Sequence, residues 1–266
     1  MGKSVLENPA ALPLGSVETI ATSPILVVAP HPDDECLGCG GAIALLRSLN
    51  CNVHILVMSD GTMSHPHSQQ YPAAALRSLR EQETRSAMAI LGVDIGQITF
   101  LGLPDSAVPM PTDAGFRAAV STCQQYLAAI APQIIFLPWR QDPHRDHRAT
   151  WQIVKAALEP ACPRLIEYPI WDWDLAQRGD KGDINLLKAW RLDIQAVSEL
   201  KQKAIATYRS QVTNLINDDP QGFQLSAEML THFAYPWELY LEEPYTEKYT
   251  VQNNSHESIA TAILTS

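Results

Sequence analysis

Short apolar runs alternate along the chain with longer stretches in which apolar residues recur at three- and four-residue intervals. The short runs are typical of buried strands, and the longer stretches are typical of helices with one apolar face. Their alternation predicts an α/β fold with a doubly wound, mostly parallel sheet and crossover helices. The predicted strands are Pro24–Ala29, Cys51–Met58, Gln97–Leu101, Gln133–Leu137 and Arg164–Tyr168, and the predicted helices are Leu37–Leu49, Ala73–Leu91, Gly115–Ile130 and His147–Leu158.

The pattern loosens after Trp171, where a polar, loop-like stretch begins. One further strand and one amphipathic helix are predicted beyond it, over Leu187–Ile194 and Val197–Arg209. The polar terminal segments are expected to be flexible, with a folded core at about 24–245. No repeat or linker interrupts the sequence, so we expect a single Rossmann-like domain over residues 1–266 with a less regular C-terminal part.

The composition excludes some classes of partner. The chain has 46% hydrophobic residues, 18% charged residues and a formal net charge of -10, and it contains no long run of Lys or Arg. Clustered basic side chains supply most non-specific affinity for nucleic acid, so no nucleic-acid partner is expected. No window approaches the roughly 20 apolar residues of a membrane helix, so we expect no membrane partner and a cytoplasmic location. Five sparse cysteines indicate reduced thiols.

A cluster of polar side chains follows the first predicted strand, in the segment PHPDDE from Pro30 to Glu35. In open α/β sheets, ligand sites form where strands end. His31, Asp33 and Asp34 can direct a nitrogen and an oxygen at one point and leave a second carboxylate free. A hydrolytic metal site needs this set: ligands for the ion and a base for its water.

A second cluster follows the predicted strand that ends at Leu137, in the segment WRQDPHRDHRAT. His144, Asp146 and His147 would lie at the same edge of the sheet as the first cluster. The two clusters together provide a His-Asp-His metal triad and spare groups for proton transfer. The alternative is that each cluster is only polar loop and helix N-cap chemistry.

The segments PHPDDE, LGCGG and PHRDH resemble the PIG-L/LmbE family of metal-dependent N-deacetylases. SDGTMSHPHS, REQE followed by ILGV, and LGLPDS are also similar to the family, so the resemblance covers about Ile25 to Thr150. KQKAIATYRSQ (201–211) and PWELY (236–240) resemble later family segments more weakly. The resemblance implies a hydrolase that removes an N-acetyl group from an N-acetylated amino sugar or sugar conjugate.

By this resemblance, His31, Asp34 and His147 are the ligands of a zinc ion, and Asp33 is the general base for its water. Adjacent aspartates on a stiffened turn do not readily bind the same ion, which agrees with this division of roles. Fe²⁺ or another divalent ion is an alternative, because two histidines and a carboxylate also describe iron(II) sites.

Four further residues receive roles from the same resemblance. His144 is expected to stabilise the oxyanion and to protonate the leaving amine, and Asp146 to orient a neighbouring imidazole. Arg80 and Asp105 are expected to bind the polar groups of the substrate. The alternatives are that Arg80 pairs with a nearby glutamate on an exposed helix face and that Asp105 only orders a turn.

Some positions stay open. Asp142 stands where some family members have a tyrosine that contacts the reacting carbonyl, so we expect it to favour a substrate with a nearby amine or hydroxyl. His65 and His67 either line the pocket or are exposed loop residues. Trp171 and Trp173 either stack on a sugar or fill the core, and core packing is the favoured interpretation.

Two other motifs have competing interpretations. The CxxC of Cys36 and Cys39 suggests a redox site, but the acidic residues beside it disfavour thiolate formation, and two small buried side chains are the simpler interpretation. Gly38, Gly40 and Gly41 suggest a phosphate loop, but they lack the GxGxxG spacing. Tight packing of the helix start against the sheet explains them better.

Three functional hypotheses therefore remain. The first is a zinc-dependent N-deacetylase acting on a small N-acetylated sugar or conjugate. The second is an amidase for a larger thiol or antibiotic-precursor conjugate, and the third is a non-catalytic binding module stabilised by a metal. The family often forms closed oligomers, so a homo-oligomer is also open.

Overall fold

An eight-stranded sheet organises the part of the chain that the computed structural model describes, residues 8–158, 163–173 and 187–243. No helix within these ranges is both long and apolar enough to cross a membrane. The strands are β1 Leu14–Gly15, β2 Ile25–Ala29, β3 Val53–Ser59, β4 Ile98–Leu103, β5 Ile134–Pro138, β6 Arg164–Tyr168, β7 Lys188–Asp193 and β8 Trp237–Glu242. The helices are α1 Asp34–Ser48, α2 Ala73–Ile90, α3 Phe116–Ile130, α4 Arg145–Ala157, α5 Ser198–Ile205, α6 Arg209–Val212 and α7 Ala227–His232.

The strand order is β1-β7-β8-β6-β5-β2-β3-β4. All neighbouring strands are parallel except β8, which is antiparallel to β6 and β7. The predicted α/β class and mostly parallel sheet are confirmed. Helix α1 begins at Asp34 rather than at the predicted Leu37, because its first turn is acidic and lies outside the apolar period. Carboxylates are nevertheless favourable at a helix N-terminus.

The C-terminal part contains the predicted strand as β7, a predicted helix that is interrupted, and two elements that the sequence did not predict, α7 and β8. The helix predicted over Val197–Arg209 is two helices, α5 and α6, with a break in which the Tyr208 N–H donates to the Ile205 carbonyl. At the other end, β1 and the buried Ile20 lie before the expected start of the core at residue 24. The loop-like stretch over 174–186 and the tail from Tyr245 lie outside the described residues.

The sheet separates two apolar cores, because successive side chains of a strand point to opposite faces. In β2, Ile25, Val27 and Ala29 pack on the side of α1, α2 and α5. Leu26 and Val28 pack on the side of α3 and α4. A strand that is buried on both faces has a continuous apolar sequence, as ILVVA does.

Glycines allow α1 to approach the sheet closely. A Cβ atom on Gly38 would lie 2.3 Å from Cδ2 of Tyr168, and one on Gly41 would lie 2.6 Å from Cγ2 of Ile194. Tyr168 cannot easily move, because its hydroxyl donates to the Val28 carbonyl at 2.7 Å. The interpretation of these glycines as packing residues is confirmed.

Cys36 and Cys39 are also on α1, and both are fully buried in the core. Burial is the main reason why the pKa of each thiol is well above its ordinary value. A buried thiol that stays protonated is a poor nucleophile, so the structure does not support a redox role for the CxxC sequence.

The sheet reverses its direction of growth beside β2. From β2 the chain proceeds to β3 and β4 on one side, whereas β5 pairs with β2 on the other side and continues to β6. A crevice forms at the carboxyl ends of the two strands that flank such a reversal, and ligands of open α/β sheets bind there. The two polar clusters of the sequence follow these strands.

We expect Gly38→Ala to lower the free energy of unfolding by about 1–3 kcal/mol, because the new methyl group would overlap the fixed ring of Tyr168. Gly96→Ala is the control, since a methyl group at that position would have no packing neighbour within 4 Å among the described residues, and a change within about 0.5 kcal/mol is expected. Urea unfolding of both variants measures the difference. Equal stabilities would contradict the close approach.

Candidate metal centre

Two segments that are distant in the sequence meet where the order of the strands in the sheet reverses. His31 lies in the turn after β2, Asp34 is the first residue of α1, and His147 lies in the first turn of α4. The Asp34 Oδ2 atom is 3.2 Å from His31 Nδ1 and 3.2 Å from His147 Nε2. The three residues predicted as metal ligands are therefore brought together around one carboxylate oxygen.

The two distances to Asp34 Oδ2 match the spacing of ligand atoms around a divalent metal. Both ring nitrogens of His147 are buried, and neither makes a contact with hydrogen-bond geometry to a described residue. Ligand atoms of a tetrahedral zinc ion with bonds of about 2.0–2.1 Å lie roughly 3.3 Å apart, which is close to the distances around Asp34. Nitrogens of His31, His144 and His147 also lie within 4.8 Å of one another.

Carboxylates face the outer nitrogens of the two histidines. His31 Nε2 lies 3.3 Å from Asp105 Oδ1 and 3.3 Å from Asp146 Oδ2, and His147 Nδ1 lies 3.3 Å from Asp142 Oδ2. Metal-binding histidines usually have such partners, which orient the ring and select its tautomer. Asp146 is thus placed where the proposed orienting role requires it.

Asp142 is fully buried and is not among the residues that line the cavity beside this cluster. Its Oδ1 accepts the main-chain N–H of His144 at 2.8 Å, and its Oδ2 accepts that of Trp171 at 3.1 Å. The expectation that Asp142 favours a substrate amine or hydroxyl is therefore wrong. Its carboxylate instead ties the loop after β5 to the end of β6 beside His147.

Opposite charges dominate the titration of the cluster. Burial alone would lower the pKa of His147, but the carboxylates of Asp142 and Asp34 outweigh it and raise the pKa to about 9. Burial opposes ionisation of Asp34 as well, yet the positive charge of His147, together with the hydrogen bond and charge of His31, holds its pKa well below the usual range. A metal ion entering this site therefore replaces bound protons.

Asp33 lies beside the three candidate ligands. It is the residue before α1 and has φ 142°, a conformation that is strained for a residue with a side chain. Its N–H donates to Glu35 Oε2 at 3.1 Å, and its Oδ2 accepts from Arg80 Nη2 at 3.2 Å. Burial raises its pKa to about 8, with Arg80 opposing and Asp34 and Glu35 adding to the shift.

Arg80 is buried beneath this turn rather than exposed on its helix. Besides Asp33, it donates to the Pro32 carbonyl at 2.6 Å and to the Gly61 carbonyl at 3.2 Å. Glu81 pairs with other arginines of α2. The alternative in which Arg80 pairs with a glutamate on an exposed face is wrong.

His144 stands at the N-terminus of α4, and its Nδ1 accepts the main-chain N–H of Asp146 at 3.2 Å. A neutral ring with an accepting Nδ1 has its proton on Nε2. Burial, followed by the charges of His147 and His31, lowers the pKa of His144 to about 4. The ring lies 4.8 Å from that of His31, between centroids.

A cavity of about 360 Å³ opens beside these residues. Trp171 lines it, whereas Trp173 is buried in the core, so the two tryptophans differ in role. His65 packs closely against Gly222 and is only 5% exposed. The lining comprises His31, Asp33, Asp34, Leu37, Met63, Ser64, Arg80, Asp105, Ser106, His144, Ile170, Trp171, Gln211, Phe223 and Leu225.

A buried network on the far side of α1 was not predicted. Glu238 accepts the N–H groups of Gly41 and Ala42 at 2.7 and 2.8 Å, and Lys201 Nζ donates to Glu238 and to the Leu37 carbonyl, both at 2.8 Å. In a regular helix, the N–H of residue 41 donates to the carbonyl of residue 37. The ion pair of Lys201 and Glu238, two residues of the C-terminal part, thus forms hydrogen bonds with main-chain groups in the second turn of α1.

Glu35 is a second connection that sequence reasoning missed. Its Oε1 accepts the hydroxyl of Tyr208, while its Oε2 accepts the N–H of Asp33. Lys201 and Tyr208 of KQKAIATYRSQ and Glu238 of PWELY therefore hold the helix that begins at the site. A charged residue within an apolar strand, as in PWELY, was the available signal.

The family model described as GlcNAc-PI de-N-acetylase, PIG-L, matches residues 26–158, half of the chain. The probable N-acetyl-alpha-D-glucosaminyl L-malate deacetylase 2 of Bacillus subtilis (strain 168) is 27% identical over 202 residues, which are 73% of this chain and 86% of that protein. The diacetylchitobiose deacetylase of Thermococcus kodakarensis is 30% identical over 199 residues, 70% of this chain and 69% of that protein.

The fold also has solved relatives. N,N'-diacetylchitobiose deacetylase from Pyrococcus horikoshii, complexed with its inhibitor MPG, superposes with a TM-score of 0.55. The match covers 72% of each chain at 24% sequence identity, so it concerns the fold alone.

Zinc affinity is expected to rise with pH, because His147 has a pKa of about 9 and must lose its proton to bind a metal. For one released proton, the apparent affinity rises about tenfold per pH unit below this pKa and then levels off. Competition with a chromophoric chelator over this range measures it. Asp142→Asn removes a carboxylate that raises this pKa, so the zinc affinity of this variant should level off at a lower pH than that of wild type. An affinity independent of pH would contradict the assignment.

Lys201→Met should lower the free energy of unfolding by about 3–5 kcal/mol, because it leaves the Glu238 carboxylate buried without a cation. The double variant Lys201→Met/Glu238→Gln should recover much of this loss, since no buried charge remains. Arg164→Met removes the partly exposed partner of Glu242 at the opposite end of the sheet, where Lys188 also contacts Glu242, and should cost about 1 kcal/mol or less. Urea unfolding measures the three losses, and a loss for Lys201→Met no larger than that for the double variant or for Arg164→Met would contradict the expected cost of the unpaired carboxylate.

Proposed function

Because the chain belongs to the GlcNAc-PI de-N-acetylase (PIG-L) family, we propose that it is a zinc-dependent hydrolase that removes an N-acetyl group from an amino sugar or sugar conjugate. The observation that supports this most strongly is the convergence of His31, Asp34 and His147 beside a separate carboxylate, Asp33, next to a cavity that His31, Asp33 and Asp34 line. A single domain would perform the reaction, in the cytoplasm.

His31, Asp34 and His147 would hold the metal, through Nδ1, Oδ2 and Nε2. A divalent ion bound there supplies Lewis acidity, which polarises an amide carbonyl and lowers the pKa of water. Asp105 and Asp146 keep the proton of His31 on Nε2, and Asp142 keeps that of His147 on Nδ1. The inner nitrogens are then free to bind the ion.

Asp33 is the proposed general base. Its carboxylate is buried at the cavity wall, and its raised pKa of about 8 makes it a better proton acceptor than an ordinary aspartate. Arg80 and the N–H bond to Glu35 keep its main chain and carboxylate in place. The proton that Asp33 accepts from water becomes available for the leaving nitrogen.

His144 is the proposed oxyanion partner. Because Asp146 N–H occupies Nδ1, the proton on Nε2 can donate a hydrogen bond to the oxygen that becomes negative as water adds to the carbonyl. Because this neutral ring has no second proton to give, the proton taken up by Asp33 is the one that reaches the departing amine. Asp146 has two contacts in this scheme, because its carboxylate faces His31 and its N–H fixes His144.

Arg80 and Asp105 are the proposed substrate-binding residues. Asp105 Oδ1 and Oδ2 already contact His31 Nε2 and Met63 N–H, and its carboxylate lines the cavity where it can accept from a sugar hydroxyl. Arg80 also lines the cavity, but its described hydrogen bonds hold the turn around Asp33. Its contribution to substrate binding therefore includes positioning of the base.

Asp33→Asn should lower kcat by at least about a hundredfold while metal binding is retained, because only the proton acceptor is removed. Amine release from N-acetylglucosamine conjugates and the metal content of the purified protein are the two measurements. Asp94→Asn is the control, since the Asp94 side chain is 80% exposed. Loss of metal with partial activity would mean that Asp33 and Asp34 have exchanged roles. Bound metal with no turnover by wild type would favour a binding module.

A further inference from the structure

We propose that the group linked to the amino sugar is an uncharged ring, and that Trp171 and Phe223 form the wall that binds it. This inference rests on the proposed deacetylase function and specifies its substrate class. It follows from the composition of the cavity, whose lining combines polar groups with apolar side chains, including the adjacent rings of Trp171 and Phe223.

Both aromatic rings are fixed by residues of the site. The main-chain N–H of Trp171 donates to Asp142, and its ring stacks on that of His144 at 5.8 Å between centroids and an interplanar angle of 25°. The Phe223 N–H donates to the Ser64 carbonyl at 2.6 Å, and its ring lies 5.5 Å from that of Trp171. The wall is therefore formed before a ligand binds, which lowers the entropic cost of binding.

The order of the rings defines two positions for substrate. An acetamide whose carbonyl oxygen meets His144 places the attached sugar ring beside Trp171, the next ring along the wall. The ring of Phe223 is the next one along the wall after that of Trp171. Trp171 thus contacts both units, and Phe223 contacts the group beyond the amino sugar. Ser64, Ser106 and the Asp105 carboxylate line the cavity as partners for hydroxyl groups.

The charges of the wall disfavour an anionic linked group. Among the described residues that line the cavity, Arg80 is the one Lys or Arg, and it already donates to Asp33 and to two main-chain carbonyls. The lining residues Leu225 and Ile170 add further apolar surface. The loop that precedes Phe223 contains Asp218 and Asp219, whose carboxylates accept N–H groups from residues 67–70.

A carboxylate buried against this wall would lose hydration without gaining a cation, which costs far more than burial of a neutral group of the same shape. A ring with apolar faces and no charge gains contact area with the aromatic side chains instead. The chain should therefore discriminate by charge between substrates that have the same acetamide and the same ring.

A matched pair of substrates tests this discrimination: 4-nitrophenyl and 4-carboxyphenyl N-acetylglucosaminide, with N-acetylglucosamine as reference. The two aryl groups have nearly the same shape, and only one is charged at neutral pH. Free-amine release by the zinc-loaded protein should give a kcat/KM at least about tenfold higher for the nitrophenyl compound.

Phe223→Ala should raise KM for the nitrophenyl compound about fivefold more than for N-acetylglucosamine, with similar kcat values, because the lost ring contacts the linked group. Phe223→Tyr, which keeps the ring, should restore the wild-type ratio. Phe116→Ala is the matched control, since Phe116 is also partly buried but packs against the opposite core. It should leave the ratio of the two KM values unchanged.

The outcomes separate this inference from the proposed function. Equal or faster turnover of the carboxyphenyl compound overturns the inference and leaves the deacetylase intact. A Phe223→Ala variant that changes both KM values by the same factor also overturns it, because the ring would then have no preference for the linked group. Absence of amine from all three compounds, with zinc bound, overturns the proposed function and the inference together.

Discussion

The buried carboxylate of Asp34 between two imidazoles is the interaction on which the rest of the site depends. A carboxylate at this depth is stable only beside positive charge and hydrogen-bond donors. His31 and His147 supply both when they are protonated, and a divalent ion bound in place of the protons would supply the charge. The same requirement explains why carboxylates also face the outer nitrogens of the two histidines. Their negative charges compensate the positive charges of the histidines, as the histidines compensate the charge of Asp34.

The order of the strands in the sheet brings these charged groups together. The strands β2 and β5 pair directly although more than a hundred residues separate them. The order in which strands are added to the sheet reverses beside β2, and this reversal leaves a crevice at the carboxyl ends of the two strands. Helix α1 begins in that crevice, so its position determines where Asp33 and Asp34 point. Close packing at Gly38 and Gly41 sets its distance from the sheet, and the pair of Lys201 and Glu238 bonds its second turn.

The regular elements were the most predictable part of the molecule. Each of the five strands and four helices expected in the first part of the chain is present, because period and composition are local properties. The helix expected over Val197–Arg209 is divided at residues 206–208, where the Tyr208 hydroxyl turns inward to Glu35. Such a break depends on a distant carboxylate, so the amphipathic pattern of the segment could not reveal it.

The sequence by itself determined which residue types crowd the carboxyl ends of the strands, and their spacing and resemblance indicated the chemistry. Only the tertiary structure decided which atoms face one another: Asp142 turned toward His147 rather than toward a substrate, Arg80 beneath Asp33 rather than on an exposed face, and Glu238 bonded to the main chain of α1. The physical reason is that burial and hydrogen-bond partnership are properties of pairs of residues. These pairs lie far apart in the chain and become neighbours only when the sheet has formed.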